Sequence, residues 1–486
     1  MTFRCERTVL VVVRTVTALT RLLDVVSLIV ADRRVQILFT VDGERAAVFG
    51  DGTDRAIAGI AARTIPWERA RSTRFDLVLS ASENDGLEEL DGPTLVLPHG
   101  LGFQKFYPGG RTVAGLDPRR LKEHNRVIAL SHPGQREWMS EGRDRAVVVG
   151  DPCWSRMHAS RHRRDAYRAA FGADGRRLVV LASTWGPESL LGAAPDLPER
   201  LVAELPMDEY RIVAVLHPGV WAAHGPWQVR AWLARANVRV LSPDSDWQAA
   251  LLAADRVIAD HGSAAGYAAL AGVPVLLGPR GSATTVPGSI ADLLAERCPR
   301  IGAGLRTRID TAGPVTLEPP IDAAAPLRAL LHRMMDMAEP SYPAEFPPLP
   351  VPATHTPTVG AWVAGENGCL MRYPDTGHGP PHDDLSYRHT VARIEHCTLT
   401  QAEGATVIGG ADLDRWPRAH LSATVDGHTC RIRARDGRTT TLHSDDPTID
   451  PWVLASWAYI RLRRGEPLHG PMRLGDRTVT VSAEDH

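Results

Sequence analysis

Short apolar runs alternate with helical segments from residue 7 to about residue 335, and the alternation starts afresh midway. Residues 9–13 are apolar without alternation, the pattern of a parallel strand covered on both faces. Leu19, Leu22, Leu23, Val26, Ile29 and Val30 follow at i, i+3, i+4, i+7 spacing, which predicts a helix with one buried face. Residues 35–41 make a second strand, and the runs 75–80, 94–97, 126–130 and 146–149 continue the series. The pattern restarts with strands at 178–181, 211–216, 238–241, 256–259 and 273–277. Helices fall around Leu201 and Leu205, Val229 and Leu233, at 290–294 and at 327–335. Strands separated by helices in this way build parallel sheets. The expectation is two consecutive Rossmann-like α/β halves.

A chain of 486 residues exceeds what one core supports. The expected division is a first domain over 1–160, a second over 161–338, an extended proline-rich linker over 339–357, and a small α+β appendage over 358–486. In the appendage, Asp426-Gly427 and Asp436-Gly437 are hairpin turns. Residues 452–462 read as a helix, and Trp362, Trp452 and Trp457 as core residues. A net charge of -2 with dispersed arginines argues against a nucleic-acid partner. The cysteines at 5, 153, 298, 369, 397 and 430 are too scattered for a disulfide framework, so free thiols in a reducing cytoplasm are expected. Arg14 ends the apolar run 8–13 too early for a secretory or membrane-spanning segment.

Ligands of open α/β sheets bind at the carboxyl ends of strands. Run 94–97 ends in Pro98-His99-Gly100, with Lys105 beyond; His99 there can accept a proton from an attacking hydroxyl, or merely bond a loop carbonyl. Run 178–181 leads to Ser183-Thr184-Trp185, whose hydroxyls bind phosphate or cap the next turn. Run 211–216 ends in His217-Pro218-Gly219, and His217 is a candidate phosphate donor. His132-Pro133 repeats that dipeptide, so the pair alone has little specificity. Run 256–259 ends in Asp260-His261-Gly262-Ser263 before a helix of small residues over 264–271. There His261, Gly262 and Ser263 form a phosphate cradle, or Ser263 is an ordinary N-cap. No P-loop, dinucleotide fingerprint or nucleophile elbow is present. The histidines at 378, 382, 389 and 396, with Asp383 and Asp384, sit among prolines and glycines and read as loop residues, not as a zinc set.

The ordered runs Pro98-His99-Gly100 with Lys105, Val149-Gly150-Asp151-Pro152, Ser183-Thr184-Trp185, Leu216-His217-Pro218 and Asp260-His261-Gly262-Ser263 through Gly272-Val273-Pro274 resemble the CDP-glycerol glycerophosphotransferase-like proteins of the GT-B glycosyltransferase superfamily, in an actinobacterial type. The resemblance spans residues 1 to about 335. It implies two domains facing a cleft, and a metal-independent transferase without a cofactor. Such an enzyme moves a glycosyl or glycerophosphate-type group from a nucleotide-diphospho donor to a hydroxyl acceptor, including a peripheral membrane or cell-envelope acceptor. His99 falls on the family's base and His217 on its second histidine; His261, Gly262 and Ser263 fall on its serine-rich turn. Gly102 departs from the family's usual proline, the lysine is displaced by one position, and Gly266 and Tyr267 stand near where a second serine and an aspartate are missing. Two alternatives accompany this reading: a nucleotide-sugar 2-epimerase-like enzyme, and a non-catalytic nucleotide-binding protein that kept the fold. If His99 is the base, His99→Ala removes most turnover and leaves nucleotide binding largely intact; binding lost with turnover unchanged would reverse the assignment.

Overall fold

The computed structural model describes all residues except 1–3, 42–51, 83–85, 99, 102–103, 107–111, 114–116, 118–125, 235, 237, 280–284, 356–357, 378–381, 383 and 486. The first sheet contains β1 (Arg7–Val13), β2 (Val35–Val41), β3 (Leu77–Ser80), β4 (Thr94–Val96), β5 (Arg126–Leu130) and β6 (Ala146–Val148). It is wholly parallel, in the order β2-β1-β3-β4-β5-β6. Val9 to Val13 have no solvent exposure, which explains why β1 is uniformly apolar. The helix Val16–Val26 is capped by the Thr15 hydroxyl, which accepts from Ala18 N at 3.1 Å. It ends four residues short of the expected stripe, so Ile29 is buried but Val30 is 62% exposed.

The second sheet contains β7 (Arg177–Ser183), β8 (Tyr210–Leu216), β9 (Arg239–Val240), β10 (Arg256–Ala259) and β11 (Val275–Leu277), also parallel, in the order β11-β10-β7-β8-β9. From β7 the chain builds outward through β8 and β9, then crosses back to lay β10 and β11 on the other side. The neighbours β7 and β10 therefore flank a topological switch point, where a crevice opens at the carboxyl ends.

Packing does not follow the boundary expected at 338. The helix Ala324–Met334 returns to the first domain, where Leu327, Leu330 and Leu331 share a core with Val9, Val11 and Leu22. Nor is the proline-rich stretch a free linker. It has no helix or strand among its described residues, yet Phe346 is buried in the first core and Leu349 in the second. Tyr167 donates to Leu349 O at 2.9 Å, and Leu349 N donates to Ser160 Oγ at 2.9 Å. Proline removes backbone donors, so an extended strap held by side chains is the structure such a sequence can adopt.

The C-terminal region is a closed barrel, not a small α+β appendage. Its strands are β12 (Ala361–Glu366), β13 (Leu370–Pro374), β14 (His389–Arg393), β15 (Val407–Gly409), β16 (Leu421–Asp426), β17 (Thr429–Ala434), β18 (Thr439–Ser444), β19 (Gly470–Leu474) and β20 (Arg477–Asp485). The Asp-Gly pairs turn the hairpins β16–β17 and β17–β18, with Gly427 and Gly437 at φ of 55° and 89°. The helix Trp452–Arg463 supplies Val453, Leu454, Trp457 and Ile460 to the barrel core beside Trp362. Trp362 and Trp457 are buried; Trp452 is half-buried, its ring 6.4 Å from that of Trp362. The barrel docks through Arg372, fully buried, which pairs with Asp208 at 2.6 Å and Asp450 at 2.9 Å. Asp208 precedes β8, so this joint lies at the amino end of the second sheet, away from the crevice. All cysteines are free, and no helix among the described residues is long and apolar enough to cross a membrane.

One barrel group makes stability depend on pH. His389 is 3% exposed; its Nδ1 bonds Tyr387 O at 3.0 Å, its Nε2 has no partner, and its ring lies 4.6 Å from that of Tyr459. Burial pushes its pKa down to about 4. The unfolded chain then binds the proton first, so stability is complete above pH ~6.5 and falls as pH drops toward 4. The full loss is about 3 kcal/mol. Denaturant midpoints measured from pH 7 to 4 check this: the decline should flatten in His389→Leu, and an identical decline in that variant rules out His389 as its source.

Candidate functional site

Asp260 sits at the carboxyl end of β10, at the switch point, and is 8% exposed. Its Oδ2 accepts from Thr184 N at 2.7 Å, Thr184 Oγ1 at 2.8 Å and Leu190 N at 2.8 Å; its Oδ1 accepts from Gly262 N at 3.0 Å. One carboxylate thus ties the β7 and β10 loops together. It also occupies the amides that a phosphate would otherwise use. The Thr184 hydroxyl is engaged by Asp260, and Ser183 Oγ donates to Thr184 O and accepts from Leu191 N, both at 3.1 Å. Both residues line the cleft, with their hydroxyls held inside the chain.

The helix after β10 runs Ser263–Leu270, and its N-cap is Gly262, not Ser263. Gly262 packs so closely on Thr184 and Asp260 that a β-carbon would collide with the threonine methyl. Ser263 is the first helical residue, and its Oγ accepts from Leu101 N of the first domain at 3.4 Å. Gly100, at φ of 74°, faces this hydroxyl; a side chain there would strike it. His99 lies outside the described residues, but its neighbour Gly100 stands on the cleft wall against Ser263. Lys105 is exposed and bridges to Thr285.

His217 caps the helix Pro218–His224, its Nδ1 accepting from Gly219 N at 3.0 Å. That assigns the proton of the neutral ring to Nε2. His132 uses Nδ1 identically toward Gly134 N at 3.0 Å. The repeated His-Pro dipeptide is therefore a capping device, and of the two only His217 lines the interdomain cleft. His261 turns into an adjoining hollow lined by Gln104, Gly278 and Arg300. Burial lowers its pKa, which favours the neutral ring at pH 7. The structure therefore gathers Ser183, Thr184, His217, Gly262 and Ser263 around one cleft and places His261 beside it.

Several cleft residues escaped the sequence reading. The helix Val16–Val26 turns Thr17, Thr20, Arg21 and Asp24 toward the cleft. Arg21 pairs with Asp151 at 2.9 Å, their side chains 5% and 0% exposed. Asp151 also caps the helix Pro152–Ser160 through Trp154 N at 2.8 Å and accepts from Tyr267 OH at 3.2 Å. Arg156 and Gln248 hold Asp24 at 2.9 and 3.2 Å, and Gln248 also meets Cys153 Sγ at 3.1 Å. Burial raises the pKa values of Asp24, Cys153 and Tyr267. Gly266 and Tyr267, the departures noted in sequence, both join the domains: Leu101 packs where a β-carbon at 266 would sit, and Tyr267 reaches Asp151. Among the described residues no three His, Cys, Asp or Glu side chains converge as a metal site; His382 stacks on Tyr373, while His389 is buried in the barrel.

No protein family matches the chain, and no curated protein matches it. Among solved structures it is similar to the wall teichoic acid polymerase TagF, at 12% identity over 56% of this chain and 70% of that one, with a TM-score of 0.38. It is similar to HepE of Anabaena in complex with UDP-glucose, at 11% identity over 63% and 89%, TM-score 0.39. It is also similar to the UDP-GlcNAc 2-epimerase of Neisseria meningitidis bound to UDP-GlcNAc, at 13% identity over 63% and 90%, TM-score 0.38.

Because Asp260 satisfies three amides and a hydroxyl, Asp260→Ala should lower stability by about 3 kcal/mol. Chemical denaturation checks this; a loss below about 1 kcal/mol would mean that water replaces the carboxylate at little cost.

Proposed function

We propose that the chain is a GT-B-type transferase, metal-independent, that moves a glycosyl or glycerophosphate-type group from a nucleotide-diphospho donor to a hydroxyl acceptor. One observation carries this reading. The switch-point loops of the second sheet, bearing Ser263 and His217, and the first domain's helix Val16–Val26 line a single cleft, closed at one side where Gly100 meets Ser263. The first-turn amides of the helix Ser263–Leu270 and the Nε2 proton of His217 are donors suited to phosphate oxygens. The Asp260 carboxylate repels an anion from the corner beside Thr184, which steers the phosphates toward the Ser263 and His217 side.

In this reading the acceptor oxygen forms the new bond as its proton passes to a base, for which His99 is the candidate. The bond to the leaving nucleotide breaks, and the departing phosphate takes up the electron pair. Donors at Ser263 and His217 meet that growing charge without rearranging, which is where electrostatic catalysis is effective. The acceptor is reached from the first-domain side.

Thermal unfolding of the full chain with CDP, UDP, GDP and dTDP tests the reading. A ligand at a hundred times its Kd adds about 2.7 kcal/mol to the folded state, so at least one nucleotide should raise the midpoint by a few degrees. His217→Ala should weaken that nucleotide about tenfold, the loss of one charge-assisted hydrogen bond. No stabilisation by any of the four sinks the transferase reading.

A further inference from the structure

On the first-domain wall, Thr17, Thr20, Arg21 and Asp24 recur at i, i+3, i+4 and i+7, so their side chains form one polar stripe along the helix Val16–Val26. The opposite face, with Leu19, Leu22 and Val26, is committed to the core. The stripe lines the cavity, with Arg21 and Asp24 anchored at its far end by Asp151 and Arg156. Arg21 is 5% exposed; Asp151 takes its Nη1, while its Nε has no partner. A buried guanidinium N–H without an acceptor carries an uncompensated desolvation cost, which a bound oxygen would relieve.

Charge decides what kind of oxygen fits. Arg21 and Arg156 are matched by Asp151 and Asp24 through pairs at 2.9 Å. The stripe is therefore close to neutral. An anion entering it meets the Asp24 and Asp151 carboxylates as well as the guanidinium and gains little. A hydroxyl both donates and accepts, which suits threonine hydroxyls, an arginine N–H and an aspartate together. Trp247 and Tyr267 line the same cleft with ring centroids 5.7 Å apart, giving an apolar face for the C–H side of such a molecule.

We propose that Thr17, Thr20 and Arg21 form a subsite for an uncharged polyhydroxylated group, a sugar ring or a polyol, and that a phosphorylated group is excluded from it. Identifying that group as the transferred or accepting part rests on the transferase reading; its binding does not.

Saturation-transfer NMR on the full chain tests this, with glucose and glycerol as neutral probes and glucose 6-phosphate and glycerol 3-phosphate as charged ones, each with and without a nucleoside diphosphate. With the nucleoside diphosphate present, so that the donors at Ser263 and His217 are occupied, the neutral probes should give signal and the phosphorylated ones none. In Thr17→Val/Thr20→Val the affinity should fall about fivefold per hydroxyl. With the nucleoside diphosphate present, a stronger signal from the phosphorylated probes overturns the subsite; so does the absence of signal from the neutral ones in both conditions, or undiminished binding in a double variant that unfolds at the parent's midpoint. Should that variant not fold, the comparison of charged and neutral probes on the parent decides alone. A chain that binds glucose but no nucleotide keeps the subsite and loses the transferase reading; one that binds a nucleotide but neither neutral probe does the reverse.

Discussion

The cleft exists because Asp151 is buried and cannot be left alone. A carboxylate with no solvent contact must find donors, and it finds them in three places: Arg21 of the first domain, the start of the helix Pro152–Ser160, and Tyr267 of the second domain. Losing one partner of such a pair exposes the other to an uncompensated desolvation cost of about 3–5 kcal/mol. Its neighbours are fixed with it. Gly150, at φ of 86°, allows the chain to pass against Ile321, and Pro152 occupies the first helical turn, where its missing N–H does no harm. The returning helix Ala324–Met334 and the proline strap add a second tether between the halves. The two sheets are thus held with their carboxyl ends toward a shared space.

Within that space the chain has placed a negative charge of its own at the point where anions are commonly bound. Asp260 organises the β7 and β10 loops so completely that few of their donors remain for a ligand. The start of the helix Ser263–Leu270 and the ring of His217 line the same cleft beside these loops.

The parallel sheets could be read from the sequence because a strand buried on both faces has a local signature, and each βαβ unit repeats it. The strands of both sheets appear at the expected positions, within a few residues at each end. The barrel could not be read in the same way. Its hairpins announce themselves through Asp426-Gly427 and Asp436-Gly437, but closure depends on pairs distant in sequence, such as Leu370 with Leu474, and on parallel pairing of β14, β15 and β16. Nothing local records such pairings. In the site, His217, Gly262 and Ser263 stood out because they follow strands, whereas Arg21 and Asp24 were hidden by a rule that looks only for the apolar side of a helix. Asp260 was named at the end of its strand but given no role, because its reach to Thr184 and Leu190 is a tertiary fact. Tyr267 looked like the loss of a functional residue; in three dimensions it is a domain joint.

The closure of the barrel has a consequence for how it can engage other molecules. Each of its strands is paired on both sides, around to β12 with β14. Among the described residues, the weakest junction is that of β13 with β19, a single residue pair between Leu370 and Leu474, and a visiting peptide could lie as an additional strand only there. Around the rest of the ring, recognition must go through side chains and connecting loops, and the paired strands there resist edge-to-edge self-association.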